Sequence, residues 1–217
     1  MSANRNLFEL YIFDLDGTLA DTRNDLAASV NHALDKVGRN RLDIETVTRF
    51  VGDGAKKLLE RSLGPGASAQ DVATALEAFL AHYRTACLVS TRLYDGVREA
   101  LRGLEPTPLA VLTNKPRFHS LKILHGLGID GYFRWIQCGD DEWPKKPDPG
   151  GLLHILKQAG CERDRALFIG DSAVDIATAR AAGVRMGFVT YGFRPDAVDE
   201  NHRVDILLSD LRQLLLA

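Results

Sequence analysis

The chain has 217 residues, of which 45% are hydrophobic and 26% charged, enough apolar material for a sizeable core and unlike a disordered polymer. Its formal net charge of −2 gives no ground for expecting nucleic acid or an anionic membrane as partner, since both recruit clustered Lys and Arg. Cys87, Cys138 and Cys161 are too few and too scattered for a disulfide framework or a zinc site and read as free thiols; with no secretory leader and no span-length apolar run, the expected setting is soluble and cytoplasmic.

The first element is the short apolar run LYIF ending at Asp14. From Thr22 to about Val89 the pattern becomes helical: Leu26, Val30, Leu34 and Val37 keep a three-to-four-residue spacing, as do Val72, Leu76, Phe79, Leu80 and Tyr83, with no convincing strand between. Val97, Leu101 and Leu104 then mark another helix, LAVL runs up to Thr113, and Leu152 with Leu156 mark a further helix. ALFI leads to Gly170, MGFV to Thr190 and DILL to Ser209. Apolar runs of this length suit strands buried on both faces, and strands alternating with helices predict a doubly wound parallel (Rossmann-like) α/β sheet. The expected division is a catalytic core of residues 1–20 and 91–217 and an inserted helical cap of residues 21–90. Its edges fall at the turn-like stretches Gly17 to Thr22 and Ser90 to Val97, where two chain crossings would serve as a hinge.

Polar residues follow the predicted strands: Asp14 and Asp16, then Thr113 and Asn114, then Asp171 and Asp175. Lys146, in KKPDP, follows a less regular stretch. Strand ends of a doubly wound sheet converge on one rim, so these residues are expected to form one site. Converging carboxylates would repel unless a cation balanced them, and Mg²⁺, which favours oxygen ligands, answers this. The expected ligands are Asp14, Asp171 and the backbone carbonyl of Asp16, with Asp175 supporting the metal from behind. Lys146 and the metal would neutralise a phosphoryl group, letting Asp14 attack phosphorus in line to give an aspartyl-phosphate. Asp16 would protonate the leaving alcohol and then activate water, while Gly17 permits the tight chain reversal that places both side chains at one rim. Thr113, Asn114 and nearby backbone N–H groups would hold the phosphate.

In this order, DLDGTL, TN, KP and GDSAVD resemble the four motifs of the haloacid dehalogenase superfamily. The resemblance implies the same roles for Asp14, Asp16, Thr113, Lys146 and Asp171. It also implies phosphate-ester chemistry, because the carbon–halogen and phosphonate-cleaving members lack the second Asp that Asp16 supplies. The large insert after the first motif resembles the helical-cap branch. Within it, RFVGDGAKKLLERSL (Arg49 to Leu63), TRLYDGV, TNKP and VTYGF resemble the bacterial phosphoglycolate phosphatases. Gly52, Gly54 and Lys56 are accordingly expected to set substrate specificity, although Asp53 would repel a doubly anionic substrate unless it pointed away. Arg49, if it met the substrate, would pair with a carboxylate.

The expected partner is a small phosphorylated metabolite, most simply 2-phosphoglycolate, bound by a monomer or homodimer with no nucleic acid or membrane involved. A broader sugar or nucleotide phosphatase would share every core residue. A phosphosugar mutase would need a sugar-binding signature in the cap that is not recognised here, and a silent phospholigand-binding protein would be expected to have lost Asp14, Asp16 or Lys146. The six histidines show no metal-ligand spacing such as HxxxH and carry no assigned role.

Overall fold

The computed structural model describes residues 7–198 and 204–216. In chain order it runs β1 (Leu10–Phe13), β2 (Ala20–Asp21), the helices α1 (Arg23–Lys36), α2 (Ile44–Phe50), α3 (Ala55–Leu63) and α4 (Ala69–Ala86), and β3 (Arg92–Leu93). There follow α5 (Val97–Gly103), β4 (Leu109–Leu112), α6 (Arg117–Gly126), β5 (Phe133–Gln137), α7 (Gly150–Ala159), β6 (Ala166–Gly170), α8 (Ala173–Ala182), β7 (Arg185–Val189) and β8 (Ile206–Leu208).

Six strands form one parallel sheet in the order β5-β4-β1-β6-β7-β8. Every residue of β1, β4 and β6 is buried. Alternation along the strands sends Tyr11, Phe13, Val111 and Ile169 to one face, with Leu101 of α5 and Ile123 of α6, and Ile12, Leu112 and Phe168 to the other, with Ile155 of α7 and Ile176 of α8. Helices thus cover both faces, which is why the strands read as continuous apolar runs. The chain steps outward from β1 to β4 and β5, then returns to lay β6 on the far side of β1. That reversal opens a crevice at the carboxyl ends of β1 and β6, where ligands of such sheets bind.

Two features depart from the expected strands. β5, with the sequence FRWIQ, lies at the sheet edge, its middle residues exposed or half-buried, so it lacks the apolar run that marks a central strand. β2 and β3 pair antiparallel, Ala20 with Leu93 and Asp21 with Arg92, where the expectation was of turns; two residues are too few to show a period.

Between these two short strands α1 to α4 form a helical layer. The stripe Leu26, Val30 and Leu34 of α1 is buried together with Phe79 and Tyr83 of α4 and Leu59 of α3. Ser68 and Asp71 close a capping box at the start of α4. Both crossings into the layer are tied at Asp25, 3% exposed, whose carboxylate accepts the backbone N–H groups of Ser90 and Thr91 and the Thr91 hydroxyl at 2.8–3.0 Å. Cys87, Cys138 and Cys161 are free thiols, and among the described residues no helix is long and apolar enough to cross a membrane. His202 lies outside the described residues.

Candidate active site

Three adjacent strands deliver the residues that follow them to one rim: Asp14 after β1, Thr113 and Asn114 after β4, and Asp171 after β6. The ladder runs one step past β1 and β4, the Asp14 N–H bonding the Ile169 carbonyl at 2.8 Å and the Thr113 N–H the Gln137 carbonyl at 3.0 Å. The backbone under these side chains is therefore fixed. Asp175, one turn into α8, completes the group: Asp14, Asp171 and Asp175 are all buried, with carboxylate oxygens within 4.8 Å of one another. Glycines make this crowding sterically possible. A Cβ on Gly17, whose φ is +85°, would lie 2.1 Å from Asp171 Oδ2, and one on Gly192 would lie 2.3 Å from Asp171 Cβ.

Lys146 stands among the three carboxylates, its ammonium 2.9 Å from Asp14 and 2.6 Å from Asp175. Its loop, irregular in sequence, is pinned by the Asn114 side chain: Oδ1 accepts the Lys146 N–H at 2.8 Å, and the side-chain amide donates to the Lys146 carbonyl at 2.9 Å. The same amide donates to the Gly52 carbonyl of the helical layer at 2.9 Å. The second Asp175 oxygen accepts the Ser172 hydroxyl and N–H in a capping box, and the Phe193 N–H donates to Asp171 at 2.5 Å.

One buried ammonium against three buried carboxylates leaves the charge unbalanced. Burial pushes the Asp14 carboxyl up to about 7 against the pull of Lys146, and burial, then Asp175 and Asp14, push Asp171 well above the usual carboxylate range. Burial would lower the pKa of Lys146, but Asp14 and Asp175 outweigh it and hold the ammonium above its ordinary value. Asp14 Oδ1 is buried and receives no well-directed hydrogen bond, Lys146 contributing an ion pair only. An oxygen-rich, electron-rich cluster with an unsatisfied carboxylate oxygen fits a divalent cation.

Asp16 is held apart from this cluster. Lys115 reaches its two oxygens at 2.9 and 3.0 Å, and the Thr22 hydroxyl donates to it at 2.6 Å. Asp14, Asp16, Thr113 and Asp171 open onto a cavity of about 50 Å³ whose opposite wall comes from the helical layer, including Leu58, Phe79, Gly52 and Gly54.

A model of the haloacid dehalogenase-like hydrolases matches residues 11–189. The chain belongs to that family. It is 40% identical to the phosphoglycolate phosphatase of Pseudomonas putida over 95% of this chain and 78% of that protein, and 40% identical to that of Colwellia psychrerythraea over 85% of each. The crystal structure of a predicted phosphoglycolate phosphatase from Haemophilus somnus superposes with a TM-score of 0.90 at 30% identity, covering 98% of each chain. The sheet order, the parallel strands and the helices on both faces are those of a haloacid dehalogenase-like hydrolase.

The family motifs account for the rim but not for the far wall of the cavity. Gly52 and Gly54 line it; Lys56 does not, its side chain being 69% exposed and 3.9 Å from Glu60, because it projects from the outer face of α3. Asp53 is paired with Arg61 at 2.6 Å, which removes the repulsion its charge would exert on an anionic substrate. Arg49 bonds the Thr46 hydroxyl at 3.0 Å and stays outside the cavity lining. The residues that sequence reasoning passed over are Lys115, Tyr83 and His119, all buried and all lining the cavity. Lys115 stood within TNKP, next to two expected phosphate contacts, and Tyr83 within the apolar stripe of α4, where it reads as packing. His119 sits on α6, with burial, then Lys115, depressing its imidazole to about 4, so that it is neutral near pH 7.

Proposed function

We propose that the protein is a Mg²⁺-dependent phosphatase that hydrolyses a small phosphomonoester, 2-phosphoglycolate above all, through an aspartyl-phosphate on Asp14. The observation that carries this reading is the division of acidic residues at the rim: Asp14, Asp171 and Asp175 gathered around Lys146, and Asp16 held separately by Lys115 and Thr22. Such a separation lets two carboxylates two positions apart do different chemistry. Asp14, Asp171 and the Asp16 carbonyl would hold Mg²⁺, with Asp175 behind them, and the ion when bound would share with Lys146 the charge of the non-bridging phosphoryl oxygens. Thr113 and the backbone at Asn114 would hold the phosphate; the Asn114 side chain already engages Gly52 and Lys146 and serves to fix the loop. Asp14 attacks phosphorus, and Asp16 gives a proton to the departing alkoxide and takes one from the water that cleaves the acyl phosphate.

In this reading residues 21–90 act as a cap over a core of residues 1–20 and 91–217, with Gly52 and Gly54 on the substrate side. The 40% identical relatives named phosphoglycolate phosphatase support the substrate. Free thiols and a small-metabolite substrate agree with a cytoplasmic monomer or homodimer. Phosphate release from 2-phosphoglycolate should require Mg²⁺, exceed that from a panel of sugar and nucleotide monophosphates in kcat/KM, and fall by a factor on the order of 10⁴ or more in Asp14→Ala. Substantial activity in Asp14→Ala removes the nucleophile assignment; a low rank for phosphoglycolate removes the substrate and leaves the reaction class.

A further inference from the structure

We infer that the wall of the cavity where α4 meets the loop after β4 is a subsite for a carboxylate carried by the leaving group, built from Lys115, Tyr83 and His119. The inference rests on the phosphatase reading above and adds to it the side chains that receive the leaving group's carboxylate.

Lys115 has a side chain only 4% exposed, and the Asp16 oxygens at 2.9 and 3.0 Å take two of its N–H groups. An ammonium has a third. The nitrogen lies 4.7 Å from the centroid of the Tyr83 ring, and that ring in turn lies 5.1 Å from the His119 imidazole. Tyr83 is 1% exposed and His119 6%, yet among the described residues neither the Tyr83 hydroxyl nor either ring nitrogen of His119 has a hydrogen-bond partner. Polar atoms buried in this way give up their hydration with nothing in exchange and are uncommon in folded interiors. Here they sit on adjoining side chains from two distant parts of the chain, all lining one cavity. A ligand that satisfies the donors among them is the simplest explanation.

The donor inventory identifies that ligand. An ammonium N–H, a phenolic O–H and the single N–H of a neutral imidazole ask for acceptor oxygens, and the ammonium asks for negative charge. A carboxylate supplies both, with about four lone-pair sites for three donors. A polyol supplies no negative charge to match the ammonium. The substrate class is therefore a phosphate monoester whose leaving group bears a carboxylate.

The test compares kcat/KM for 2-phosphoglycolate and for ethyl phosphate, two-carbon esters that differ in the carboxylate, in the wild type, Lys115→Met, Tyr83→Phe and His119→Asn. The wild type should prefer phosphoglycolate. Lys115→Met should lower kcat/KM for phosphoglycolate by roughly tenfold to a hundredfold beyond its effect on ethyl phosphate, the value of a charge-assisted hydrogen bond, and Tyr83→Phe by roughly threefold to tenfold. Because Lys115 also holds Asp16, some loss on both esters is expected, and the subsite is read in the ratio. Should Lys115→Met fail to fold, the ratios in the two remaining variants decide. No preference in the wild type, or equal losses on both esters in every variant that folds, overturns the subsite and leaves the phosphatase standing. A wild type that hydrolyses neither ester overturns the functional reading itself.

Discussion

The rim formed by β1, β4 and β6 and the helical layer above it are both buried, but they bury different things. At the rim, Asp14, Asp171, Asp175 and Lys146 are all under 9% exposed, and like charges are forced together by strands that cannot move apart. In the helical layer Leu34, Leu59 and Phe79 are buried while Lys56, Lys57 and Glu60 stay outside in the solvated pairs of an ordinary amphipathic helix. The rim is a region where stability is given up for chemistry; the layer is a region where packing is undisturbed except at Tyr83, the one of these helix residues with a polar atom left unpaired in the cavity wall.

The largest test of this contrast removes the cation of the rim. Lys146→Met should lower kcat/KM by roughly 10²–10³-fold, the effect of deleting one positioned electrostatic partner, and should destabilise the metal-free protein by about 3–5 kcal/mol, because three buried carboxylates lose their counter-charge. Steady-state kinetics and denaturant titration in chelator measure the two effects. An equal loss from an apolar substitution on the outer face of α3 would show that the two regions do not differ in kind.

Asp14→Asn should act in the opposite sense on stability. The folded carboxyl is raised to about 7 from an ordinary 3.8, so between these values the folded state holds more protons than the unfolded one. Its contribution to stability therefore falls as pH rises through that window. Without metal, the variant should melt above the wild type near pH 8 and lose most of that advantage near pH 5, while its activity is abolished. Referring each melting temperature to the wild type at the same pH cancels the opposing titration of His119, which is held neutral down to about 4. A constant difference across pH would contradict the raised Asp14 carboxyl.

The smallest effect belongs to the layer. Lys56→Ala should leave kcat/KM for phosphoglycolate within about twofold and stability within about 0.5 kcal/mol, since its side chain is 69% exposed and its contact with Glu60 is 3.9 Å long. A larger kinetic loss would return Lys56 to the substrate side of α3.

How far the sequence discloses each region follows from the same physics. Strand-end motifs are legible because Asp14, its acidic neighbour two residues on and the strand before them form one continuous word, LYIFDLDGTL, and because apolar runs mark strands buried on both faces. β5 escaped because an edge strand needs no such run. The cavity wall escaped for a different reason: Lys115, Tyr83 and His119 meet only in three dimensions, and each has an innocent local meaning, a lysine in a loop, an aromatic in an apolar stripe and a histidine on a helix. Asn114 was visible as a polar residue after a strand, but its service as a bridge from the Lys146 loop to Gly52 depends on a fold contact that no local pattern encodes.

Asp25 carries a mechanical consequence. Because one carboxylate on α1 receives donors from both Ser90 and Thr91, the outgoing and returning strands of the β2–β3 ribbon are stitched together on the helical side of the junction. In the cap reading proposed above, two separate swivels would give the layer freedom to shear and twist over the rim, and the stitched pair would give it a single axle. Exchange of this layer between related proteins accordingly has a natural seam: a graft cut between Asp25 and Ser90 parts the stitch, and one that carries residues 22–91 together takes the axle along with the door.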